Sequence, residues 1–273
     1  MGEGDELVLS GRDEESGSHG SSGIMNKARS ERSLRVLAGV LCVPAAAGVL
    51  WMLYLILLRA PDGQLSGITQ LIQYFYLPSS LTAYLAFGVA ALGSLGFLLL
   101  RDDRFDAVAV SGAELGVVFS MAALIQGVVA AGFFQGDWWV WDVSTTLMLL
   151  LLMVHIGYFI LRSSTEPRDR GRRFAAVLGV VAAADFPLIY QGVRWFHAGN
   201  PEAVMLWPES SVADPVIQQT LSVGVGAFSL VFVVLLLHRY GMERVRTRME
   251  GLREGTAVAS SASAFTSAEG AFR

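Results

Sequence analysis

The sequence Gly-Asp-Trp-Trp-Val-Trp-Asp at 136–142 places three of the chain's six tryptophans, Trp138, Trp139 and Trp141, within four residues. Long apolar stretches flank this run on both sides, so we expect it at a membrane–water interface. Three indoles beside two carboxylates, one of them that of Asp142, form an aromatic surface with an acidic rim that could hold a flat, amphiphilic macrocycle. The alternative is an interfacial aromatic belt, although a belt usually spreads its aromatics over several helix ends.

Two further side chains could ligate a metal in such a macrocycle. His197 follows Trp195 and Phe196 just beyond an apolar stretch, and neutral imidazole is the usual protein ligand of haem iron. The alternative for His197 is a solvated interfacial histidine. Tyr76 precedes Pro78 and the next apolar stretch. A phenolate can ligate ferric haem, but the pattern favours a belt tyrosine that anchors a helix end.

Polar residues inside the apolar stretches are the remaining candidates. His155 lies two thirds of the way along its stretch, and no second histidine matches its depth, so we expect a buried, hydrogen-bonded residue. Charge inside a bilayer is costly, which makes Glu114 and Asp185 functional candidates by default. Glu114 is close enough to a helix end to reach the interface. Asp185 precedes the helix-kinking Pro187, and we expect it to make a structural polar contact.

Several classes of chemistry are missing from the sequence. Cys42 is the only cysteine, so there is no CxxC pair and no CxxCH site for covalent haem. There is also no Walker A loop, no Gly-rich nucleotide fingerprint and no HExxH zinc motif. No basic face suggests a nucleic-acid partner. The sequence therefore predicts a protein that binds and passes on its ligand and is not an enzyme.

Composition and hydropathy predict the fold class. The 273 residues have a mean hydropathy of +0.50 and only 16% charged residues, against about 25% in soluble domains. An integral membrane protein follows, and lipid requires its spans to be helices. We predict an all-α, polytopic bundle of six transmembrane helices. Its spans are placed near 36–58, 80–100, 113–134, 144–161, 174–193 and 216–238.

Arginine and lysine predict the topology. Sixteen of the 20 basic residues lie in four segments on one side of the predicted bundle, 27–35, 101–104, 162–173 and 239–253. The positive-inside rule then places both termini in the cytoplasm. The unusual residues fall on three outward loops, near 59–79, 135–143 and 194–215.

The chain ends differ in composition from its middle. Residues 1–32 are rich in Gly, Ser and charge, which predicts a disordered cytoplasmic tail and no cleavable signal peptide. Residues 33–240 form the predicted six-helix membrane domain. The cytoplasmic tail at 241–273 begins as a basic, helix-prone stretch and is expected to end in disorder.

The run FQGDWWVWD at 134–142, together with six spans and outward loops, resembles the CcmC haem-handling family of cytochrome c maturation, part of a superfamily that shares a tryptophan-rich WWD motif. The similarity covers roughly residues 35–240. GVVFSMAALIQG precedes the motif, while RFAAVLGVVAAADFPLIY and RWFH follow it in the order typical of the family.

This resemblance implies a function and a site. In that family the tryptophan-rich loop binds b-type haem as cargo at the outer face of the bacterial inner membrane. Two histidines on the flanking loops ligate the iron, and a periplasmic haem chaperone receives the haem beside an ABC transporter. Trp138, Trp139, Trp141 and Asp142 match the core motif, and His197 matches the second iron ligand.

The chain departs from the family pattern at three places. Tyr76-Leu77-Pro78 stands where the family has His-Val-Pro, Gln135-Gly136 replaces Trp-Gly, and the segment after Asp142 lacks an arginine suited to a haem propionate. Haem is therefore held by Tyr76 and His197, or by His197 alone, or the cargo has changed. Two other functions stay open. One is an electron-transfer subunit that binds b-type haem through His155, or quinone. The other is a ligand-free structural subunit of the maturation complex.

Overall fold

The computed structural model describes residues 33, 35–59, 67–165, 168–188 and 215–271. Within these ranges the chain consists of helices joined by short segments, which confirms the all-α, polytopic prediction. The helices are α1 (Arg35–Leu58), α2 (Gly67–Leu100), α3 (Asp103–Gln135), α4 (Val143–Ser164), α5 (Arg168–Ala182) and α6 (Pro215–Ala271).

Five of these helices, all except α5, are long and apolar enough to cross a bilayer. They confirm five of the six predicted spans. The remaining predicted span, 174–193, is described only as far as residue 188. There α5 ends at Ala182, and one further helical turn covers 185–188.

The interruption after α5 has a local cause in Pro187. A proline ring clashes with the carbonyl four residues before it, here that of Ala183. This carbonyl accepts instead from the amide of Phe186, at 3.2 Å, and the amide of Ala184 donates to Val181 at 3.0 Å. The hydrogen bonds therefore tighten from the α to the 3₁₀ pattern at the kink that the sequence predicted.

Two helices begin at least ten residues earlier than predicted. α2 begins at Gly67 and passes through Pro78, where the Ser80 hydroxyl donates to the Leu77 carbonyl at 3.0 Å. α3 begins at Asp103, because Asp102 caps it by accepting from the Arg104 amide at 2.9 Å. The hydropathy pattern missed these first turns because their residues are polar or interrupted by proline.

α6 also differs from the prediction at its far end. It continues to Ala271, so the part of the tail that was predicted to be disordered is helical. The tail is rich in alanine, arginine and glutamate, all of which have high helix propensity. An ion pair of 3.8 Å between Arg246 and Glu243, one turn apart, adds to this preference.

Close packing of α2 on α3 forms the centre of the bundle. A methyl group added at Gly93 would lie 2.7 Å from the backbone nitrogen of Ala109, and one added at Gly112 would lie 2.9 Å from that of Ala90. Small residues let membrane helices approach this closely. Gly93 of α2 and Gly112 of α3 thus allow the backbones of the two helices to come into contact.

Ion pairs join the helices at one end of the bundle, which we call the charged end (Asp103, Asp106, Arg162 and Arg172). The two terminal guanidinium nitrogens of Arg162, Nη1 and Nη2, donate to Asp106 at 2.7 Å, and Nε of Arg172 donates to the same carboxylate at 3.0 Å. Glu114 of α3 pairs with Arg239 of α6, so this intramembrane acid has a structural partner. The α3–α4 connection, residues 136–142, lies at the opposite end of α3, which we call the tryptophan end.

Candidate functional site

The tryptophan loop, residues 136–142, is fixed at both ends. Gly136 ends α3 with φ of 78°, a left-handed conformation that glycine adopts at no steric cost. Asp142 caps α4, since its carboxylate accepts from the Thr145 amide at 2.6 Å and its carbonyl accepts from Thr146 at 3.0 Å. Asp142, predicted to contact the ligand, is thus already engaged in holding the loop.

The three indoles of the loop take different positions. Trp138 and Trp141 are 66% and 74% exposed, whereas Trp139 is half-buried. Trp139 and Trp141 meet edge to face, with ring centroids 5.4 Å apart. Trp138 lies against the last turns of α3, where a methyl group added at Gly132 would come within 2.9 Å of its ring. Two aromatic faces therefore project from the tryptophan end, and one indole packs beneath them.

Trp139 brings an unused hydrogen-bond donor to this surface. Its indole nitrogen is buried and has no acceptor among the residues that the structure describes. Leaving a buried donor unpaired costs about 1–3 kcal/mol. Because this nitrogen is closed to solvent, a ligand with an oxygen acceptor would recover that cost only once a movement of the loop exposed the N–H group. The motif alone gave no signal for the direction of this N–H bond.

Tyr76 lies deeper and on another side of α3. Its ring is 3.4 Å from the place where a methyl group added at Gly127 would sit. Gly127 lies about 7.5 Å along the helix axis from Gly132 and about 140° around it. Tyr76 and Trp138 therefore occupy different faces of α3, and the structure does not place the Tyr76 hydroxyl beneath the exposed indoles.

His197 falls outside the described residues, together with its neighbours Trp195 and Phe196. Its predicted role as an iron ligand thus stays a prediction.

His155 is a buried, hydrogen-bonded residue, as predicted. Its Nδ1 atom donates to the Leu151 carbonyl at 2.9 Å, and its ring lies 4.0 Å from that of Phe87, centroid to centroid. Phe87 in turn presses on α3 at Gly116. The imidazole is therefore enclosed by packed side chains and offers no open face to a macrocycle.

Asp185 is buried on the turn after α5. Neither carboxylate oxygen has a hydrogen-bond partner in the described part of the chain. The structural polar contact expected for Asp185 is thus not found among these residues.

Comparison with known proteins extends over most of the chain. The family model described as CcmC, heme exporter protein C, matches residues 23–254. The chain is 31% identical over 234 residues to heme exporter protein C of Bradyrhizobium diazoefficiens, covering 84% of this chain and 88% of that protein. It is 29% identical to the Rhodobacter capsulatus protein of that name, covering 69% and 78%. It is 25% identical to that of Haemophilus influenzae, covering 73% and 79%.

The range matched by the family model includes α1 to α5, the tryptophan loop and the greater part of α6, and the Bradyrhizobium protein shares 31% identity. The resemblance seen in the FQGDWWVWD run is therefore confirmed, and the chain belongs to the CcmC family.

Proposed function

We propose that this protein binds haem at its tryptophan end and passes it on during the maturation of c-type cytochromes. The observation that carries the proposal is the pairing of two exposed indoles, Trp138 and Trp141, with the unpaired N–H of Trp139. Haem has a flat apolar face and two carboxylates, so it complements both features. The family relatives are named heme exporter protein C, which agrees with haem as the cargo.

The binding energy would come mainly from aromatic contact. Each indole that packs on the porphyrin adds about 0.5–1.5 kcal/mol beyond the burial of its area. Once a movement of the loop exposed it, the Trp139 N–H would donate to a propionate oxygen, in place of the arginine that the family motif has and this chain lacks. Such a site binds moderately and reversibly, as a cargo protein requires.

Iron ligation is assigned to His197 in this proposal. Tyr76 is half-buried and packs against Gly127, on a different face of α3 from the Trp138 indole at Gly132. We therefore favour His197 as the sole protein ligand over paired ligation by Tyr76 and His197. The open sixth coordination position would ease the departure of the cargo.

The proposed orientation follows from charge. The charged end faces the cytoplasm together with both termini, and the tryptophan end faces the periplasm of a bacterial inner membrane. Haem then leaves to a periplasmic haem chaperone, with ABC-transporter subunits of the maturation machinery as further partners. No chemical transformation is assigned to the chain.

Absorption spectroscopy of the detergent-purified protein from haem-replete cells tests the proposal. The double variant Trp138→Ala/Trp141→Ala should lose most of its Soret absorption, since two aromatic contacts correspond to roughly tenfold or more in affinity. Trp51→Ala is the matched control, because Trp51 is an exposed tryptophan of α1 that stacks on Tyr54. A Soret band equal in the double variant and the control would overturn the proposal. No band in any protein would favour a ligand-free subunit.

His197→Ala and Tyr76→Phe then separate the two forms of ligation. A spectral shift in His197→Ala alone supports single ligation by histidine. A shift in both variants would restore Tyr76 as a ligand. The electron-transfer alternative depends on His155, and its enclosed ring gives no support to a haem inside the bundle.

A further inference from the structure

A cavity of about 270 Å³ opens at the charged end, far from the tryptophan loop. The ends of α2, α3 and α5 surround it. Its lining residues are Phe97, Leu98, Arg101, Asp103, Asp169, Arg172 and Arg173. This volume is just below the smallest volumes typical of small-molecule pockets, about 300 Å³, and it suits a ligand of the size of a lipid headgroup.

The three arginines of the cavity are not equivalent. Arg172 is held from several sides, because it pairs with Asp103 and Asp106 and its guanidinium lies 5.1 Å from the centre of the Phe97 ring. Arg101 and Arg173 are exposed and form no ion pair within the described residues. The lining thus holds three arginines against two carboxylates, those of Asp103 and Asp169, and both carboxylates lie beside Arg172. The guanidinium groups of Arg101 and Arg173 are the ones left for an anion.

An unusual backbone conformation positions Arg101 in the lining of this cavity. Arg101 has φ of 54° and is the only non-glycine residue with positive φ in the described part of the chain. A left-handed residue with a side chain costs roughly 1–2 kcal/mol. The amide of Arg101 keeps α2 helical by donating to the Phe97 carbonyl at 2.9 Å, and the chain then reverses at once into α3.

An apolar surface adjoins the two free arginines. Leu98 lines the cavity, and the neighbouring side chains of Leu99 and Leu100 are exposed on the last turn of a membrane-spanning helix. A ligand at this place meets guanidinium groups at one end and a leucine surface at the other. Arginine binds phosphate oxygens through paired hydrogen bonds, and basic pockets between membrane helices bind anionic headgroups.

We propose that this cavity is a binding site for an anionic phospholipid. The headgroup phosphate lies between Arg101 and Arg173, and the acyl chains run along the leucines at the end of α2. The amphiphilic setting favours a lipid over free phosphate, because free phosphate would leave the leucine surface uncovered. The site lies at the opposite end of the bundle from the proposed haem surface and does not depend on it.

Fluorescence anisotropy with a labelled short-chain phosphatidylglycerol tests this site on the full-length protein in a neutral detergent. Arg101→Gln/Arg173→Gln should bind it at least about tenfold more weakly, since a charge-assisted hydrogen bond is worth about 1.5–3 kcal/mol. Arg104→Gln is the matched control, because Arg104 is an exposed arginine of the first turn of α3 that does not line the cavity. Arg101→Lys/Arg173→Lys should retain part of the affinity.

The single variant Arg101→Gly guards against a folding defect, because glycine adopts the left-handed conformation freely while the guanidinium is removed. It should also bind the probe more weakly than wild type. Equal affinity in all variants would overturn the proposal, as would equal affinity for a phosphatidylcholine of the same chain length. If inorganic phosphate at a comparable concentration displaced the probe completely, the ligand of this site would be free phosphate and not a lipid.

Discussion

The indole of Trp138 rests on the bare backbone of Gly132, one turn before the end of α3. A β-carbon at Gly132 would come within 2.9 Å of the indole ring, closer than two carbon atoms in contact can approach. This glycine therefore allows the exposed Trp138 to lie flat against the helix that carries it. The proposed haem surface is set as much by the missing side chain as by the tryptophans.

Gly132→Ala should displace Trp138 and weaken haem binding by roughly twofold to tenfold, because the aromatic contact that Trp138 contributes is worth about 0.5–1.5 kcal/mol. Gly226→Ala is the control, since a β-carbon there meets nothing within 4 Å. Haem retained per protein, read from the Soret band, checks the prediction. Equal haem content in the two variants would show that the position of Trp138 is not set by Gly132.

Two substitutions distinguish whether Asp142 only caps α4 or also contacts the ligand. Asp142→Ala removes the cap of α4 and should lower the free energy of unfolding by about 0.5–2 kcal/mol. Asp142→Asn keeps an oxygen acceptor for the Thr145 amide and should preserve both stability and haem content. Thermal unfolding in detergent, followed by circular dichroism, measures the first effect. If Asp142→Asn lost haem at unchanged stability, the carboxylate would contact the cargo directly.

The hydropathy pattern predicted five of the helices and the position of the tryptophan loop, because the length of each apolar stretch and the clustering of aromatic residues are local features of the sequence. It missed the start of α3, whose charged first turns are stabilised by Arg162 and Arg172 from distant parts of the chain. Partners so far away leave no local signal.

The details of the site depended on packing that no motif reports. Tyr76 was predicted as a possible iron ligand from its place at the family's histidine position, and no motif indicated that its ring packs against α3 at Gly127. Similarly, the tryptophan run predicted an aromatic surface without indicating which indole is half-buried. The orientation of Trp139, and hence its unpaired N–H, follows from how the loop closes between Gly136 and Asp142.

Asp106 is the centre of the charged end and should be the most sensitive residue there. It is buried and accepts from both Arg162 and Arg172. Breaking a buried ion pair on one side costs about 3–5 kcal/mol, so Asp106→Asn should lower the unfolding temperature strongly. Asp169→Asn serves as the control, because Asp169 is 83% exposed and lies 3.7 Å from Arg172. Equal unfolding temperatures would mean that the network contributes nothing to stability.

Arg101 offers a test in which removing a charged side chain should stabilise the protein. Because Arg101 has φ of 54°, Arg101→Gly should raise the free energy of unfolding by about 1 kcal/mol. Arg104→Gly should have the opposite sign, since Arg104 lies within the regular first turns of α3 and glycine there costs about 0.5–1 kcal/mol. Chemical unfolding of both variants in detergent without added lipid measures the difference between their free energies of unfolding.

Adding phosphatidylglycerol should then reduce this difference, because only wild type and Arg104→Gly keep the Arg101 guanidinium that the proposed lipid site uses. If the difference between the two variants' free energies of unfolding stayed constant on lipid addition, the Arg101 side chain would take no part in lipid binding.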